Sequence, residues 1–442
     1  MFDRRLLANF DWVLLVNALA ICLVGLVAIY SASRGYTGEI RFWLRQLYWI
    51  AAGLGVGFLV LLVDMRTVGR WAYVLHGLAV AALALVLRFG HGSAGSPVER
   101  WFIVGGVAIQ PAEFAKYTLV MAMAYYFRDS RRVGNLGVLG ILWPLVLVGV
   151  PFALIVQQPD LGTAMLLAML FVPLIVLAGI RMRLLVTLGS AGVVAVLALV
   201  VSFQFGFYRI DEDALAALET RSVPEEALVY AQSLEGQKYY TATAFRAKLT
   251  ERPVFSPDDP ALETLEEVAF RPWISFVLRP YQQKRLVTFA NPSADPLGAG
   301  YHVIQSKVAI GSGRLLGKGF GESTQGALNF LPARHTDFIF AIYAEEWGFL
   351  GALFLLALYG GLIARGLTIV LETRDRYSVF LTLGVVSILG LQVLVNIGMA
   401  VGLLPVVGVP LPLVSYGGSS MVTMLAGIAL LLNVRMRRFL WG

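Results

Sequence analysis

Apolar residues run along this chain in blocks of about 20, the length an α-helix needs to cross a bilayer core. Polar residues collect between the blocks. Ten blocks fall at 11–31, 46–63, 70–88, 111–127, 138–156, 161–179, 184–205, 336–363, 378–400 and 411–433. The pattern predicts an all-α polytopic membrane protein with about ten transmembrane helices. The arginines between blocks sort by side. Arg4 and Arg5, Arg66 and Arg70, Arg128 with Arg131 and Arg132, Arg181 and Arg183, Arg365 with Arg374 and Arg376, and Arg435 with Arg437 and Arg438 share one face. That face is cytoplasmic by the positive-inside rule, so both termini are expected inside. Arg34, Arg41 and Arg45 run against the trend, and an interfacial helix over 39–45 is the expected explanation. No small-residue cleavage site stands near Ala28–Ala32, so the first block reads as a retained helix.

The spacing divides the chain into helices one to seven over 1–205, an outer region over 206–335, and helices eight to ten with a cytoplasmic tail over 336–442. The outer region opens acidic, with thirteen Asp and Glu against five Lys and Arg from Asp211 to Phe270. Stretches such as DEDALAALE read as helix before Pro253, Pro257 and Pro260 break the pattern. Residues 211–268 therefore read as a peripheral, solvated subdomain. The later part, 281–335, has a different character: Asp295 stands between Pro292 and Pro296 with Gly298 and Gly300 behind it. Fixed φ at Pro and tight turns at Gly make this an ordered loop.

Composition sharpens the picture. The chain of 442 residues is 58% hydrophobic and 14% charged, against about 25% charge in ordinary soluble domains. Its net charge of +7 sits in topology-setting loops and is no nucleic-acid signal. Cys22 is the one cysteine, which excludes a disulfide and a Cys-rich metal site.

Polar residues inside apolar sequence mark functional candidates, because a charge left unpaired in lipid is costly. In IQPAEFAKY, Pro111 suits a first helical turn, and Glu113 and Lys116 share a face three residues apart and can pair. That pair serves as a structural lock or as the wall of a polar groove, with Gln110 beside it. In QQPDLGTA, Asp160 fits an N-cap. The run SKVAIGSGRLLGKGFG fails the phosphate-loop pattern of a nucleotide site. It reads instead as a curved outer loop approaching a ligand through its backbone, with Lys307, Arg314 and Lys318 giving it positive charge. Gln305 lies just before it. His335 and Asp337 stand at the mouth of the eighth helix, with Glu345 and Glu346 two turns in. Asn396, Ser415, Tyr416 and several prolines suggest a broken connection beside a cavity.

These motifs resemble the SEDS family (shape, elongation, division and sporulation), peptidoglycan glycosyltransferases of bacterial inner membranes. QPAEFAKY, QPDLGTA, NPSADPLGAGYHVIQSKVAIGSG, LPARHTDFIFAIYAEEWG and PLPLVSYGGSS carry the resemblance, which spans nearly the whole chain except 206–270. DPLGAGYHVIQS is closer to the elongation members than to the division members. Ala333 departs from the family's usual Glu.

The resemblance implies polymerisation of lipid II into β-1,4 glycan strands with inversion. It places the catalytic aspartate at Asp295 and the membrane pair at Glu113 and Lys116. Substrate contacts are expected from Lys307, Arg314, Lys318, His335 and Asp337, with support from Gln110, Asp160, Gln305, Asn396, Ser415 and Tyr416, and a weaker contribution from Arg285. A divalent cation, Mg or Mn, on the substrate pyrophosphate fits the chemistry, although no ligand set is evident. The implied partners are the undecaprenyl-pyrophosphate-linked strand, a class B penicillin-binding protein and MreB-associated elongation machinery. A lipid II flippase and a scaffold for a penicillin-binding protein are the competing readings, which polymer formation in purified membranes separates from the first.

Overall fold

The computed structural model describes residues 9–33, 41–92, 99–129, 133–134, 136–202, 206–210, 215, 225–235, 237–239, 242–251, 265, 269–272, 285, 288–289, 299–327, 331 and 333–438. Helices occupy the places of the ten apolar blocks: α1 (Trp12–Ala32), α2 (Phe42–Leu62), α3 (Met65–Phe89), α4 (Pro111–Phe127), α5 (Val138–Gln157), α6 (Leu161–Leu177), α7 (Met182–Ser202), α12 (Ile339–Glu372), α13 (Arg376–Ala400) and α14 (Gly418–Arg437). Seven of them are long and apolar enough to cross a membrane. Their outward faces carry bare apolar side chains: Leu139 is 87% exposed and Leu371 84%. Such faces suit lipid rather than water. By contrast, α4 and α13 are buried on nearly every side, as expected of helices at the centre of a bundle. Their close approach depends on Gly384, where a Cβ would lie 2.3 Å from Val120.

Boundaries moved where backbone chemistry overrode hydropathy. The last block begins at 411, yet α14 starts only at Gly418, because Pro410 and Pro412 cannot donate to a helical ladder. The structure also adds strands to the expected all-α picture. Between α3 and α4, β1 (His91–Gly92), β2 (Glu99–Val104) and β3 (Val107–Ile109) form an antiparallel sheet in that order. Gly105 and Gly106, at φ +58° and +80°, close the β2–β3 hairpin in two residues, which needs positive φ at both.

The chain divides into two compact units, Met1–Leu184 with Arg285–Gly442, and Leu185–Lys284. In the second, β4 (Gly206–Arg209) pairs with both β5 (Lys238–Tyr239) and β6 (Phe270–Pro272). Here α8 (Glu225–Ser233) and α9 (Ala242–Leu249) bury Ala227, Tyr230, Ala231, Phe245 and Leu249 in one apolar cluster with Ile210. The described residues of the acidic stretch thus share an apolar core of their own.

In the first unit, α10 (Ala299–Ser312) and the short α11 (Thr324–Ala327) precede α12. The glycine-rich run between them was expected to curve around a ligand. Its backbone is spent on α12 instead. That helix breaks at Gly348, φ +64°. The carbonyls of Glu345 and Glu346 accept from Lys318 N and Gly319 N at 3.0 Å each, and Phe349 N and Leu350 N donate to the carbonyls of Arg314 and Leu315 at 2.8 and 3.1 Å. The loop therefore satisfies the groups freed by the break, as membrane depth demands. Glu345 anchors it: its carboxylate accepts from Lys318 Nζ and Ser323 Oγ at 2.5 Å and from Thr324 N at 3.1 Å. A Cβ on Gly348 would sit 2.3 Å from Gly317 N, whereas one on Gly360 of the same helix would meet nothing within 4 Å. Gly348→Ala should therefore destabilise the protein by more than the about 1–3 kcal/mol that this glycine-only backbone region costs an L-residue, while Gly360→Ala should not. Thermal unfolding of the detergent-solubilised pair checks this, and equal behaviour of the two variants would refute the plug.

Candidate active site

The start of α4 is fixed by Pro111 at its first turn, where the missing N–H costs nothing. This sets Glu113 one turn in, facing Lys116 on the same side. Lys116 Nζ donates to both Glu113 carboxylate oxygens at 2.9 Å, and the two side chains are 2% and 6% exposed. The expected pair is formed. Asp160 caps α6 through Thr163 N at 3.1 Å, as expected, and its other oxygen accepts from Gln110 Nε2 at 3.0 Å. Gln110 N donates to Ser419 Oγ on α14 at 3.1 Å. One polar chain thus joins the starts of α4, α6 and α14.

The broken connection before α14 closes the other side. Ser415 Oγ donates to the Thr336 carbonyl at 2.6 Å, and Tyr416 N to the His335 carbonyl at 2.9 Å. Asn396 Nδ2 donates to the carbonyls of Asp337 and Val409 at 2.9 and 2.7 Å. Gln46, buried on α2, holds this backbone from below, donating to the Ser415 carbonyl at 3.0 Å and accepting from Gly417 N at 3.3 Å. His335 stacks on Phe42 with ring centroids 4.4 Å apart. Burial, with Arg334 beside it, holds His335 below the usual imidazole range. That shift favours the neutral ring, which suits aromatic packing better than a role as a cation.

Between these walls lies a cavity of about 350 Å³ lined by Glu113, Asp160, Asp337, Arg100, Arg285 and Tyr416, among others. Asp337, just ahead of α12, points its carboxyl into this space. Burial pushes that carboxyl up to about 6, against the pull of Arg285 and with Asp160 adding to the rise. An acid raised in the folded state favours folding below its unfolded value and loses that advantage as pH rises through 6. Asp337→Asn should therefore gain thermal stability at about pH 7.5 and little at about pH 4. A pH-independent effect in a thermal-unfolding series would contradict the burial argument.

Arg100 was not anticipated. It sits on β2, donates to the Pro159 carbonyl at 2.8 Å and lies 3.9 Å from Asp160. Its Nε–H is buried without a partner, while the residue lines the cavity. A signal existed: Arg100 falls in a loop that the arginine distribution puts on the outer side, against the trend.

Other candidates lie elsewhere. Lys318 is paired with Glu345, Arg314 is an exposed residue of the plug loop, and Lys307 and Gln305 lie on α10; none lines the cavity. Asp295 lies outside the described residues. Among the described residues no group of three or more His, Cys, Asp or Glu could hold a metal ion.

The pattern of the FtsW/RodA/SpoVE family, described as cell cycle proteins, matches residues 11–213 and 264–439. The gap, 214–263, falls within the acidic stretch, so that stretch is where the chain departs from the family pattern. The chain is 34% identical to the peptidoglycan glycosyltransferase MrdB of Escherichia coli K12, over 97% of this chain and 94% of the relative. It is 31% identical to the peptidoglycan glycosyltransferase RodA of Treponema pallidum, over 98% and 99%. A solved structure of a peptidoglycan synthase complex, concerned with coordinating polymerization and crosslinking, superimposes with TM-score 0.64 at 27% identity, covering 97% of this chain and 98% of that one. The rod shape determining protein RodA of Thermus thermophilus gives 0.57 at 26%, with the same coverage. From the paired helix starts to the full-length match, the chain belongs to the SEDS family, the FtsW/RodA/SpoVE peptidoglycan glycosyltransferases.

Proposed function

We propose that this protein polymerises lipid II into β-1,4 glycan strands during cell elongation, inverting the anomeric centre, with Asp295 as general base. The carboxylate takes the proton of the acceptor's 4-hydroxyl as its oxygen bonds to the donor's anomeric carbon. The bond from that carbon to the polyprenyl pyrophosphate breaks, and the pyrophosphate leaves with the electron pair. The observation that carries the proposal is the cavity where Arg100 and Arg285 face Asp160, Asp337 and Glu113. Fixed guanidinium groups can stabilise a departing pyrophosphate because their orientation is already set before reaction. Similarity to MrdB and RodA at 34% and 31%, against 29% for a Bacillus subtilis FtsW, favours elongation over division. Any divalent cation enters with the substrate pyrophosphate.

The synthase-complex relative supports a partner. We assign this role to a class B penicillin-binding protein, with MreB-associated machinery beyond it, because a strand polymerase must be matched to a crosslinking enzyme. Glycan-strand formation from purified lipid II by the solubilised complex, the transpeptidase serine inactivated, tests the activity; absence of polymer from a folded complex would overturn it. We place both termini in the cytoplasm and the catalytic loop outside. With Cys22 replaced, an impermeant thiol reagent on intact spheroplasts should label a cysteine at Ser233 but not one at Arg374, and the reverse would invert the topology.

A further inference from the structure

The buried stripe of α2 consists of Gln46, Ile50, Gly53 and Gly57, spaced so that they share one helix face. That face lies on α14. A Cβ on Gly53 would be 2.6 Å from Leu425 Cδ1, and one on Gly57 would be 3.3 Å from Ala429 Cβ. Close packing of small and apolar residues is enough to join two helices in a membrane. Gln46, buried at the N-terminal end of the stripe, adds nothing to that packing that an apolar residue would not.

Its amide meets irregular backbone instead. Ahead of α14, Pro410 and Pro412 keep the chain out of a helix, and Leu413 stands at φ +62°. The next residues turn a carbonyl and an N–H toward α2. Gln46 Nε2 donates to the Ser415 carbonyl at 3.0 Å, and its Oε1 accepts from Gly417 N at 3.3 Å. An amide carries a donor and an acceptor side by side, the pair that a neighbouring strand would offer. On the opposite edge, Tyr416 N donates to the His335 carbonyl at 2.9 Å. Tyr416 is therefore held from both sides. The flanking turns of α2 complete the fit. Phe42 meets the Tyr416 ring edge-on, with centroids 5.2 Å apart, and a Cβ on Gly418 would be 2.5 Å from Trp49 Cε2.

We propose that Gln46 is a positioning residue for strand synthesis, setting one wall of the active-site cavity through residues 415–417 without touching the substrate. The inference rests on the polymerase reading above. Gln46 does not line the cavity, whereas Tyr416, Gly417, Gly418, Ser419 and Ser420 do. The placement carries further along the wall. Ser419 Oγ accepts from Gln110 N at 3.1 Å, and Gln110 Nε2 donates to Asp160 at 3.0 Å. Without the amide, the Ser415 carbonyl and the Gly417 N–H lose this partner, and Tyr416 is held along one edge only. A shift of about 1 Å in groups that orient a substrate can cost about 100-fold in rate.

The test is strand synthesis from purified lipid II by the solubilised complex. Both kcat and KM are referred to the folded, monodisperse fraction, with Tm measured alongside. Gln46→Leu keeps most of the side-chain bulk and removes both hydrogen bonds. Its kcat should fall about 100-fold while KM changes little, because orientation is lost rather than affinity. Ile50→Ala disturbs the same helix contact one turn on, and should lower Tm while keeping the wild-type kcat. Gln46→Glu gives a readout that a purely structural role would not move. A protonated carboxyl has one O–H donor and one carbonyl acceptor, as the amide does, and an ionised one has no donor. The kcat of Gln46→Glu relative to wild type should therefore rise about tenfold between about pH 8.5 and about pH 5.5, as the buried carboxyl takes up its proton. A folded Gln46→Leu protein with wild-type kcat, or a Gln46→Glu deficit independent of pH, would overturn the assignment. Failure of both variants to fold would overturn it too, making Gln46 a residue of the fold alone. Absence of polymer from the folded wild-type complex would instead sink the polymerase reading, and this inference with it.

Discussion

Asp295→Asn should cut strand synthesis from purified lipid II by about 100-fold to 10,000-fold, the usual cost of removing a general base. The substitution keeps the size of the side chain and most of its turn hydrogen bonding, but removes the base and the charge. Folding, lipid II binding and association with the transpeptidase partner should persist. An Asp that merely caps its own turn between Pro292 and Pro296 would behave differently: stability would fall somewhat and activity would hold. The assay is strand length and yield from the solubilised complex, its transpeptidase serine inactivated so that crosslinking cannot mask the product. Near-normal synthesis would remove Asp295 from the mechanism and return the search to Glu113, Asp160 and Asp337, which line the described cavity.

How much of this was legible depended on the range of the interaction. The Glu113–Lys116 pair and the Asp160 cap are local, each spanning three residues, so helical spacing and capping chemistry were enough to find them. The helices followed from hydropathy for the same reason. The glycine-rich run misled because a loop that approaches a ligand and one that plugs a broken helix need the same small, positively turning residues. What separates them is Gly348, which lies far along the chain and looks like any helical glycine. Arg100 was missed because its partner, the Pro159 carbonyl, is 59 residues away. The small sheets escaped because their strands are two to six residues long, too short for alternation to show.

The Glu113–Lys116 pair separates structural from catalytic demands. Both groups are buried, so removing one leaves the other charged and without a counter-ion, at a cost of about 3–5 kcal/mol. Glu113→Gln alone should therefore lower thermal stability sharply, and any loss of activity in it would be uninterpretable. The double variant Glu113→Leu/Lys116→Met resolves this, because well-packed apolar replacements of a buried ion pair are often neutral or stabilising. It should recover the stability that Glu113→Gln loses. Strand synthesis should not recover with it. Glu113 borders the cavity that holds Arg100, Arg285 and Asp337, and displacing the groups that orient a pyrophosphate costs about 100-fold even when the fold is intact. The measurement is a paired one, unfolding temperature and strand yield on the same preparations. A double variant that is both stable and nearly fully active would make the pair a lock between helices and nothing more, leaving recognition of the substrate to the guanidinium groups and to Asp160.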